Sequence, residues 1–331
     1  MMIVAEMSGN HNGSLKKATD IIKAAKKAGA DAIKLQTYTA DTLTLDCTKP
    51  DFMTNPNGIW AGRTMHSLFK EASTPWEWHE ELFHVAKEEG VICFSSPFDK
   101  TAVDFLESLG NPIYKIASPE INDVNLIQYV ARTGKPVVMS TGTATADDLV
   151  VAVDVCRKEG NDDITLLKCT TEYPAPIANA NLLSIPMYRQ CFGVKAGVSD
   201  HSMGSLIPIM ATTLGATMIE KHFIIDRASG GVDSSFSMDM KEFSHMAAEV
   251  RQAEQALGTA KFINPEYVNL REHRSLYVAE NMKAGDIITE KNLRSVRPGY
   301  GLHPKYLNEI LGKKVNRDLE KGERMRLEYV K

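Results

Sequence analysis

Eight short apolar runs recur along the chain with helix-patterned segments between them, and this alternation constrains the fold more than any other feature. The runs are rich in Val and Ile and nearly unbroken, as is typical of parallel strands covered on both faces. They are Met2–Met7, Ala32–Thr37, Val91–Pro97, Ile113–Ala117, Pro136–Thr141, Ile164–Thr170, Phe192–Ser199 and Met218–Ile224. Eight alternating strand–helix units predict an α/β fold, a closed (β/α)8 TIM barrel.

The segments between the runs have the spacing of amphipathic helices. Between Leu15 and Gly29, for example, Ile21 and Ile22 belong to an apolar stripe opposite several lysines, and Gly29 follows as a helix-ending residue. An open doubly wound sheet is the alternative arrangement of such units. No Gly-x-Gly-x-x-Gly follows a strand, so the usual nucleotide-binding signature of that fold is missing.

The pattern changes towards the C-terminus. After a last amphipathic helix the sequence mixes Gly, Pro, Asn and charges, and short β-type runs such as Ser275–Ala279 and Ile287–Thr289 follow. We therefore expect a catalytic barrel over residues 1–260, a linker over 261–274 and a small β-rich domain over 275–331. The segment Asp46–Arg63 has no periodicity and follows the second strand, so it is a candidate substrate lid.

Composition excludes several classes of function. The chain has 331 residues and a formal net charge of -4, which gives no footprint for nucleic acid or an anionic membrane. Five cysteines at scattered spacing indicate reduced thiols rather than a disulfide framework. No basic segment with an apolar core precedes the first run, and no run is long enough to span a bilayer. We expect a cytoplasmic protein.

Two histidines follow the last two runs of the predicted barrel. Catalytic groups of a TIM barrel collect at the carboxyl ends of its strands, so His201 and His222 should lie on neighbouring strand tips. Two imidazoles could share one divalent metal and leave most of its coordination sphere free for water and substrate. The alternative is that each histidine is an ordinary polar residue at a strand end.

Lysines within apolar strands are the other informative feature. Lys34, Lys115 and perhaps Lys168 could converge with strand-end serines and hold a phosphate or carboxylate, since a buried ammonium without an anionic partner is costly. Each lysine could instead pair with a neighbouring carboxylate, for which the candidates are Glu6, Glu120 and Glu220. A Schiff-base aldolase, with one of these lysines as nucleophile, is a further possibility.

An ordered set of short motifs makes the chain resemble the sialic acid synthase family over nearly its whole length. The motifs that carry the resemblance are Ala5–Gly13, Lys34–Thr37, Tyr114–Ser118, Ser140–Gly142, Cys169–Pro174, Ser199–His201, Glu220–Phe223 and, in a C-terminal antifreeze-like module, Arg297–Gly301. Met7–Gly9, Thr74–His79 and Ser95–Asp99 are similar to the pseudaminic acid branch of that family. The neuraminate branch usually has Asn where this chain has Thr171.

The resemblance implies a reaction. Phosphoenolpyruvate would condense with an open-chain acetamido sugar and water to give a nine-carbon 2-keto acid and phosphate. For the pseudaminic acid branch the sugar would be 2,4-diacetamido-2,4,6-trideoxy-L-altrose. The alternatives are an N-acetylneuraminate or legionaminate synthase and, from another class, a non-catalytic sugar-binding protein on the same scaffold.

The resemblance also implies roles for individual residues, a cofactor and an assembly. His201 and His222 would hold the metal, most simply Mn2+ (with Mg2+ or Co2+ as alternatives), and Glu6 would be the acid/base group. A homodimer is implied, in which the C-terminal domain is swapped between subunits. Phosphoenolpyruvate would be bound by Lys34, Ser96, Lys115, Ser118, Ser140 and Ser199, and the sugar by Gln36, Tyr173, Asp233 and, from the other subunit, Arg297.

Overall fold

The computed structural model describes all residues from Met1 to Lys331 and divides them into two compact units, Met1–Gly258 and Thr259–Lys331. The first unit is a closed barrel of eight parallel strands, in which β8 pairs with β1. The predicted TIM barrel is therefore confirmed. Its strands are β1 Met2–Glu6, β2 Ala32–Thr37, β3 Ile92–Pro97, β4 Tyr114–Ile116, β5 Val137–Ser140, β6 Ile164–Cys169, β7 Lys195–Asp200 and β8 Met218–His222.

Helices surround the barrel, and several begin at capping residues that the sequence supplies. Ser14, Asp99 and Asp239 accept hydrogen bonds from backbone N–H groups in the first turn of the helix that each precedes. The helices are α1 Leu15–Lys27, α2 Ala40–Leu43, α3 Met65–Ala72, α4 His79–Glu88, α5 Lys100–Ser108, α6 Val124–Ala131, α7 Ala146–Lys158, α8 Ser184–Phe192, α9 Leu206–Thr213 and α10 Met240–Leu257. No helix is long and apolar enough to cross a membrane.

The seventh strand begins later than the sequence predicted. The apolar run starts at Phe192, but Phe192 is the last residue of α8, and Gly193 ends that helix with a φ of 65°. The strand then continues to Asp200. Apolar character alone does not separate the end of a buried helix from the start of a buried strand, which is why the predicted boundary was wrong.

Successive side chains along each strand point to opposite faces of the barrel wall, and this alternation produces two apolar cores. One set of side chains packs between strands and helices and includes Ile3, Ile33 and Ile219. The other set fills the barrel interior and forms a layer of buried side chains. The members of this interior layer are Val4, Ala32, Phe94, Ile113, Val138, Leu167 and Met218.

The second unit has a small core of its own. Its strands β9 Ser275–Val278 and β10 Leu293–Val296 form an antiparallel pair, and the short helix α11 spans Leu307–Ile310. The predicted β-run at Ile287–Thr289 is not a strand, since Ile287 makes only an isolated bridge with Lys314. The buried side chains of this core are Leu276, Val278, Met282, Ile288, Leu293, Ile310, Val315, Leu319 and Met325.

Candidate functional site

A polar layer lies directly above the apolar interior of the barrel. Each of its members comes two residues after an inward-facing position, so it points into the same barrel interior. All eight are buried, and they stand at the carboxyl ends of the strands, where TIM-barrel enzymes place their active sites. The polar layer consists of Glu6, Lys34, Ser96, Lys115, Ser140, Cys169, Ser199 and Glu220.

Lysines and carboxylates alternate within this layer. Lys34 Nζ lies 2.6 Å from Glu6 Oε2 and 3.8 Å from Glu220 Oε1. Lys115 Nζ lies 3.6 Å from Glu220 Oε1. The expectation that Lys34 and Lys115 converge thus agrees with the geometry, and so does the alternative that they face carboxylates. The two ammonium groups share Glu220, one of the carboxylates named from the sequence as a possible counter-ion.

Burial and charge act differently on the four groups. Burial alone would lower the pKa of Lys34, but the negative charges of Glu220 and Glu6 outweigh it and raise that pKa. For Lys115 burial dominates and lowers the pKa, because Glu220 compensates only in part. Burial raises the pKa of Glu6 against the opposing effect of Lys34. Burial would raise the pKa of Glu220, but the positive charges of Lys115 and Lys34 outweigh it and lower that pKa. Lys115, whose charge is compensated only in part, favours an anionic ligand.

The serines of the predicted anion site lie around these charges. Lys34 Nζ donates to Ser96 Oγ at 3.4 Å, and Ser199 Oγ donates to Glu220 Oε1 at 3.0 Å. Ser118 Oγ accepts a hydrogen bond from Gly142 N at 3.0 Å. Ser140 Oγ is buried without a hydrogen-bond partner. An orphaned hydroxyl in the same layer as two ammonium groups is a group that an oxyanion of a ligand would satisfy.

Gly142 is held in the tightest part of this site. A Cβ at this position would lie 2.6 Å from Thr171 Cγ2, 2.9 Å from Ser118 Oγ and 3.3 Å from Cys169 Sγ. The backbone therefore approaches Ser118 and Cys169 closely because the residue has no side chain. Cys169 belongs to a motif seen in the sequence, but it was not among the residues assigned to the site there.

Three of the four predicted sugar-binding residues lie near the same strand ends. Gln36 Nε2 donates to Glu6 Oε1 at 2.8 Å and to Ser8 Oγ at 3.1 Å. Ser8 Oγ in turn donates to the buried carboxylate of Asp233. Tyr173 lies beside the histidines, with its ring centroid 4.4 Å from that of His201. The fourth residue, Arg297, is exposed in the second unit.

His201 and His222 come together as the strand order predicts. Their ring centroids are 5.3 Å apart. His201 Nδ1 lies 2.8 Å from Thr170 O, a contact in which the nitrogen donates, so the lone pair of this ring is on Nε2. His222 Nδ1 is buried and has no partner. Burial lowers the pKa of His201 to about 4 and that of His222 well below its usual value, so both rings are neutral.

Two neutral imidazoles, one with an orphaned nitrogen, fit a divalent transition metal. No group of three or more His, Cys, Asp or Glu side chains gathers as a metal site. A metal bound here would therefore take only two ligands from such side chains, and the rest of its coordination sphere would be left for water and substrate.

Lys168 does not belong to the site, contrary to the expectation that it could converge with Lys34 and Lys115. It faces away from the barrel interior, because it follows the inward-facing Leu167 by one residue. Its ammonium donates to Cys169 O at 2.6 Å. The same alternation turns Lys221 outward, where it pairs with Asp200 at 2.6 Å.

Glu120 is a further residue whose surroundings stand out. It lies in the short 3-10 helix Ser118–Asn122 that follows β4, and its Oε2 is buried without a partner. Burial raises its pKa to about 7. The sequence analysis considered Glu120 only as a counter-ion for a lysine, but no ion pair forms between Glu120 and Lys115. Its position beside Ser118 makes it part of the site wall.

These features define a class: a TIM-barrel enzyme with a buried layer of lysines, carboxylates and serines beside a pair of neutral histidines. The chain belongs to the NeuB family, which it matches over residues 21–262, and residues 273–324 match the SAF domain. A family match over most of the barrel accounts for the arrangement of motifs from which the resemblance was drawn.

Individual relatives agree with this assignment. The chain is 47% identical to pseudaminic acid synthase of Campylobacter jejuni over 328 residues, with 98% of this chain and 95% of the relative covered. It is 47% identical to pseudaminic acid synthase of Helicobacter pylori, with 96% and 94% covered. Identity to N,N'-diacetyllegionaminic acid synthase of Legionella pneumophila is 33%, with 99% and 94% covered.

A solved structure is similar as well. The N-acetylneuraminic acid synthetase of Leptospira borgpetersenii superimposes with a TM-score of 0.70 at 31% identity, covering 80% of this chain and 87% of that one. Sequence and fold thus point to the same family.

Proposed function

We propose that this chain is a pseudaminic acid synthase, which condenses phosphoenolpyruvate with 2,4-diacetamido-2,4,6-trideoxy-L-altrose and water. The observation that carries the proposal is the 47% identity to curated pseudaminic acid synthases over almost the whole chain. The polar layer supports it, because buried ammonium groups and an orphaned serine hydroxyl suit a substrate with a phosphate and a carboxylate.

Lys34 and Lys115 hold phosphoenolpyruvate in this proposal, with the serines at the strand ends completing the contacts to its oxygens. Carbon 3 of the enol then attacks the aldehyde carbon of the sugar, forming the new carbon–carbon bond while the carbonyl π bond opens, and the former aldehyde oxygen takes up a proton to become a hydroxyl group. Positive charge develops at carbon 2, and the nearby carboxylate of Glu220 stabilises it. Fixing the two substrates in contact accounts for much of the rate acceleration.

Water completes the reaction at carbon 2. Glu6 takes the proton of the incoming water, and its raised pKa suits it to return a proton in the same cycle. The tetrahedral product of this addition then loses phosphate by carbon–oxygen cleavage, which leaves the 2-keto acid. Gln36, hydrogen-bonded to Glu6, keeps that carboxyl group oriented.

A divalent metal is part of the proposal, with Mn2+ as the first choice and Mg2+ or Co2+ as alternatives. His201 and His222 would hold it, and when bound it would polarise the sugar aldehyde as a Lewis acid. Stringent chelation should abolish phosphate release, and added Mn2+ should restore it. Full turnover after chelation would remove the metal from the proposal.

A homodimer is also proposed, in which the second unit of one subunit serves the site of the other. Side chains of the connecting segment are unusually exposed for their type, including Phe262, Ile263 and Tyr267. The barrel surface adds an apolar patch with Ile177 and Leu183. Exposed apolar side chains of this extent are typical of surfaces that another subunit covers. Since phosphoenolpyruvate is a cytoplasmic metabolite, the proposal places the reaction in the cytoplasm.

The test is phosphate release from phosphoenolpyruvate with a panel of acetamido sugars, with the product identified by mass spectrometry. We expect release with 2,4-diacetamido-2,4,6-trideoxy-L-altrose and formation of pseudaminic acid. Faster release with N-acetylmannosamine or with the legionaminate precursor would reassign the substrate. No release with any sugar would leave a sugar-binding protein, and borohydride trapping of a pyruvate adduct would indicate a Schiff-base aldolase.

A further inference from the structure

An aromatic wall stands beside the histidine pair, and of its residues only Tyr173 has been assigned to the sugar above. It consists of Trp60, Tyr173 and Phe236. The ring of Trp60 lies 5.8 Å from that of Tyr173 and 6.4 Å from that of Phe236, measured between centroids. Tyr173 and Phe236 contact each other at 4.8 Å. The centroid of Phe236 lies 4.9 Å from that of His222, so the wall begins at the histidines and ends at Trp60.

Trp60 reaches this wall from the segment Asp46–Arg63. The ends of the loop that carries it are joined, because Thr54 Oγ1 donates to Trp60 O at 2.6 Å and to Arg63 O at 3.1 Å. The indole Nε1 donates to Val232 O at 3.0 Å. Trp60 is therefore fixed at both its backbone and its side chain, next to the residue that precedes Asp233.

The side chains between the strand tips and Trp60 thus form two chemically unlike groups, one on each side. One side has Gln36, Ser8 and Asp233, which are joined by hydrogen bonds. The other side is the aromatic wall. Two other aromatic residues near the strand ends pack elsewhere: Trp76 stacks on Phe105 with ring centroids 4.9 Å apart, and the ring centroid of Phe98 lies 5.1 Å from that of Tyr38. A ligand extending away from the histidines meets amide and carboxyl groups on one side and aromatic rings on the other.

We propose that Trp60 is a specificity-determining residue, which contacts the methyl end of a 6-deoxy sugar and disfavours a sugar that carries a hydroxyl there. This inference rests on the proposed function, since it takes the sugar aldehyde to lie at the histidines. The far end of an open-chain sugar held in this way points along the wall towards Trp60. A methyl group buries apolar area against the indole, whereas a hydroxymethyl group loses hydration without gaining a partner.

The experiment compares two sugars that differ by one oxygen atom: the 2,4-diacetamido-2,4,6-trideoxy sugar and its 6-hydroxy counterpart. Wild-type protein should prefer the 6-deoxy sugar in kcat/KM by about tenfold or more, the size of discrimination that an apolar pocket gives. Trp60→Ala should bring this ratio close to one by lowering kcat/KM for the 6-deoxy sugar. Trp60→Phe should retain part of the preference, and Trp76→Phe should leave it unchanged.

The ratio distinguishes recognition from a merely structural role. Equal loss of kcat/KM for both sugars in Trp60→Ala would mean that Trp60 only holds the loop in place, and it would overturn the proposal. An unchanged ratio without any loss would overturn it too. Wild-type protein that releases no phosphate with the 6-deoxy sugar would instead refute the proposed function, and the inference with it. Circular dichroism and the KM for phosphoenolpyruvate check that the variants are folded and bind the other substrate normally.

Discussion

Lys115 is buried in the barrel with no ion-pair partner closer than Glu220 Oε1, 3.6 Å away, while Lys34 has Glu6 at 2.6 Å. Burial lowers the pKa of Lys115, so its charged form is disfavoured until an anion arrives. In the proposed reaction, Lys115 therefore contributes to substrate binding and not to folding, because the anionic substrate would offset the cost of burying its charge.

Lys115→Met tests this separation of binding from stability. We expect kcat/KM for phosphoenolpyruvate to fall by at least about a hundredfold, since a buried charged contact is worth several kcal/mol. The free energy of unfolding should stay unchanged or rise, because an apolar side chain of similar length replaces a poorly paired charge. Kinetics and urea unfolding measure the two effects. The matched control is Lys168→Met, which should retain wild-type kcat/KM; a similar loss in that variant would contradict the assignment.

Lys221 has the opposite relation to the site, since it points outward and bridges two strand tips. Its ammonium contacts Asp200 Oδ2 and Ser202 O, and Asp200 Oδ1 accepts from Ser202 N at 2.8 Å. Asp200 and Lys221 precede the two histidines directly and face each other in the register of β7 and β8. This buried ion pair therefore sets the spacing of His201 and His222.

Lys221→Met should weaken Mn2+ binding by about tenfold or more, the usual effect of losing a residue that orients metal ligands. Equilibrium dialysis measures the affinity directly, without relying on turnover. Lys221→Arg should restore part of it. The control is Lys195→Met. Lys195 also lies on β7, but its ion pair with Asp163 is exposed, so losing it should leave Mn2+ affinity unchanged. Equal affinity in wild-type protein and Lys221→Met would show that the pair has no positioning role.

At the scale of elements, β7 and β8 approach each other closely because β7 contains a glycine. A Cβ on Gly197 would lie 2.2 Å from Met218 O and 2.9 Å from Leu167 Cδ2. Two strands and the interior layer leave no space there. The close packing of β7 against β8 therefore depends on the missing side chain of Gly197, which lies just before the strand ends that carry both histidines.

Gly197→Ala should destabilise the barrel by about 3 kcal/mol or more, because backbone has to move to admit the methyl group. Thermal and urea unfolding measure the loss. Gly134→Ala is the control: Gly134 has a φ of 70° and open space around it, so its cost should be about 1–2 kcal/mol from backbone strain alone. Similar losses of stability in the two variants would contradict the claim that β7 and β8 need a glycine at position 197.

Sequence reasoning placed the elements well because eight strand–helix units leave little choice of fold. The sequence pattern placed Lys34 and Lys115 at the strand ends correctly and offered Glu220 as a counter-ion, but it left Lys168 open and did not assign Cys169 to the polar layer. Residues an even number of positions from the apolar interior side chains face the barrel interior, and residues an odd number away face the helices, so this count assigns each of them to one face. Trp60 and Phe236 were out of reach, because their loops carry no periodicity and only tertiary structure brings them to the histidines.

At the scale of the whole molecule, the proposed swapped dimer divides each active site between two chains. The loop that carries Arg297 is well braced: the buried Ser275 Oγ donates to Pro298 O at 2.7 Å and accepts from Gly301 N at 2.8 Å. Arg297 itself is exposed and forms no ion pair within its unit. A braced loop with a free guanidinium is suited to reach a ligand on another chain.

Mixing Arg297→Ala protein with Glu6→Ala protein tests this division. Each variant alone should be inactive or nearly so. After subunit exchange, half of the dimers are mixed and each has one intact site of two, so about a quarter of wild-type activity should return. Phosphate release before and after exchange measures the recovery. No recovery, with exchange verified by native mass spectrometry, would place Arg297 at the site of its own chain or outside the site.

The depth of the polar layer has a kinetic consequence. Lys115 and Ser140 lie one step above the apolar interior, whereas Trp60 sits beyond the strand tips. In the proposed reaction the three-carbon substrate occupies the floor and the sugar covers it. This arrangement would impose a compulsory order: phosphoenolpyruvate would bind first, and a sugar that binds early would block its way and inhibit the enzyme at high sugar concentration.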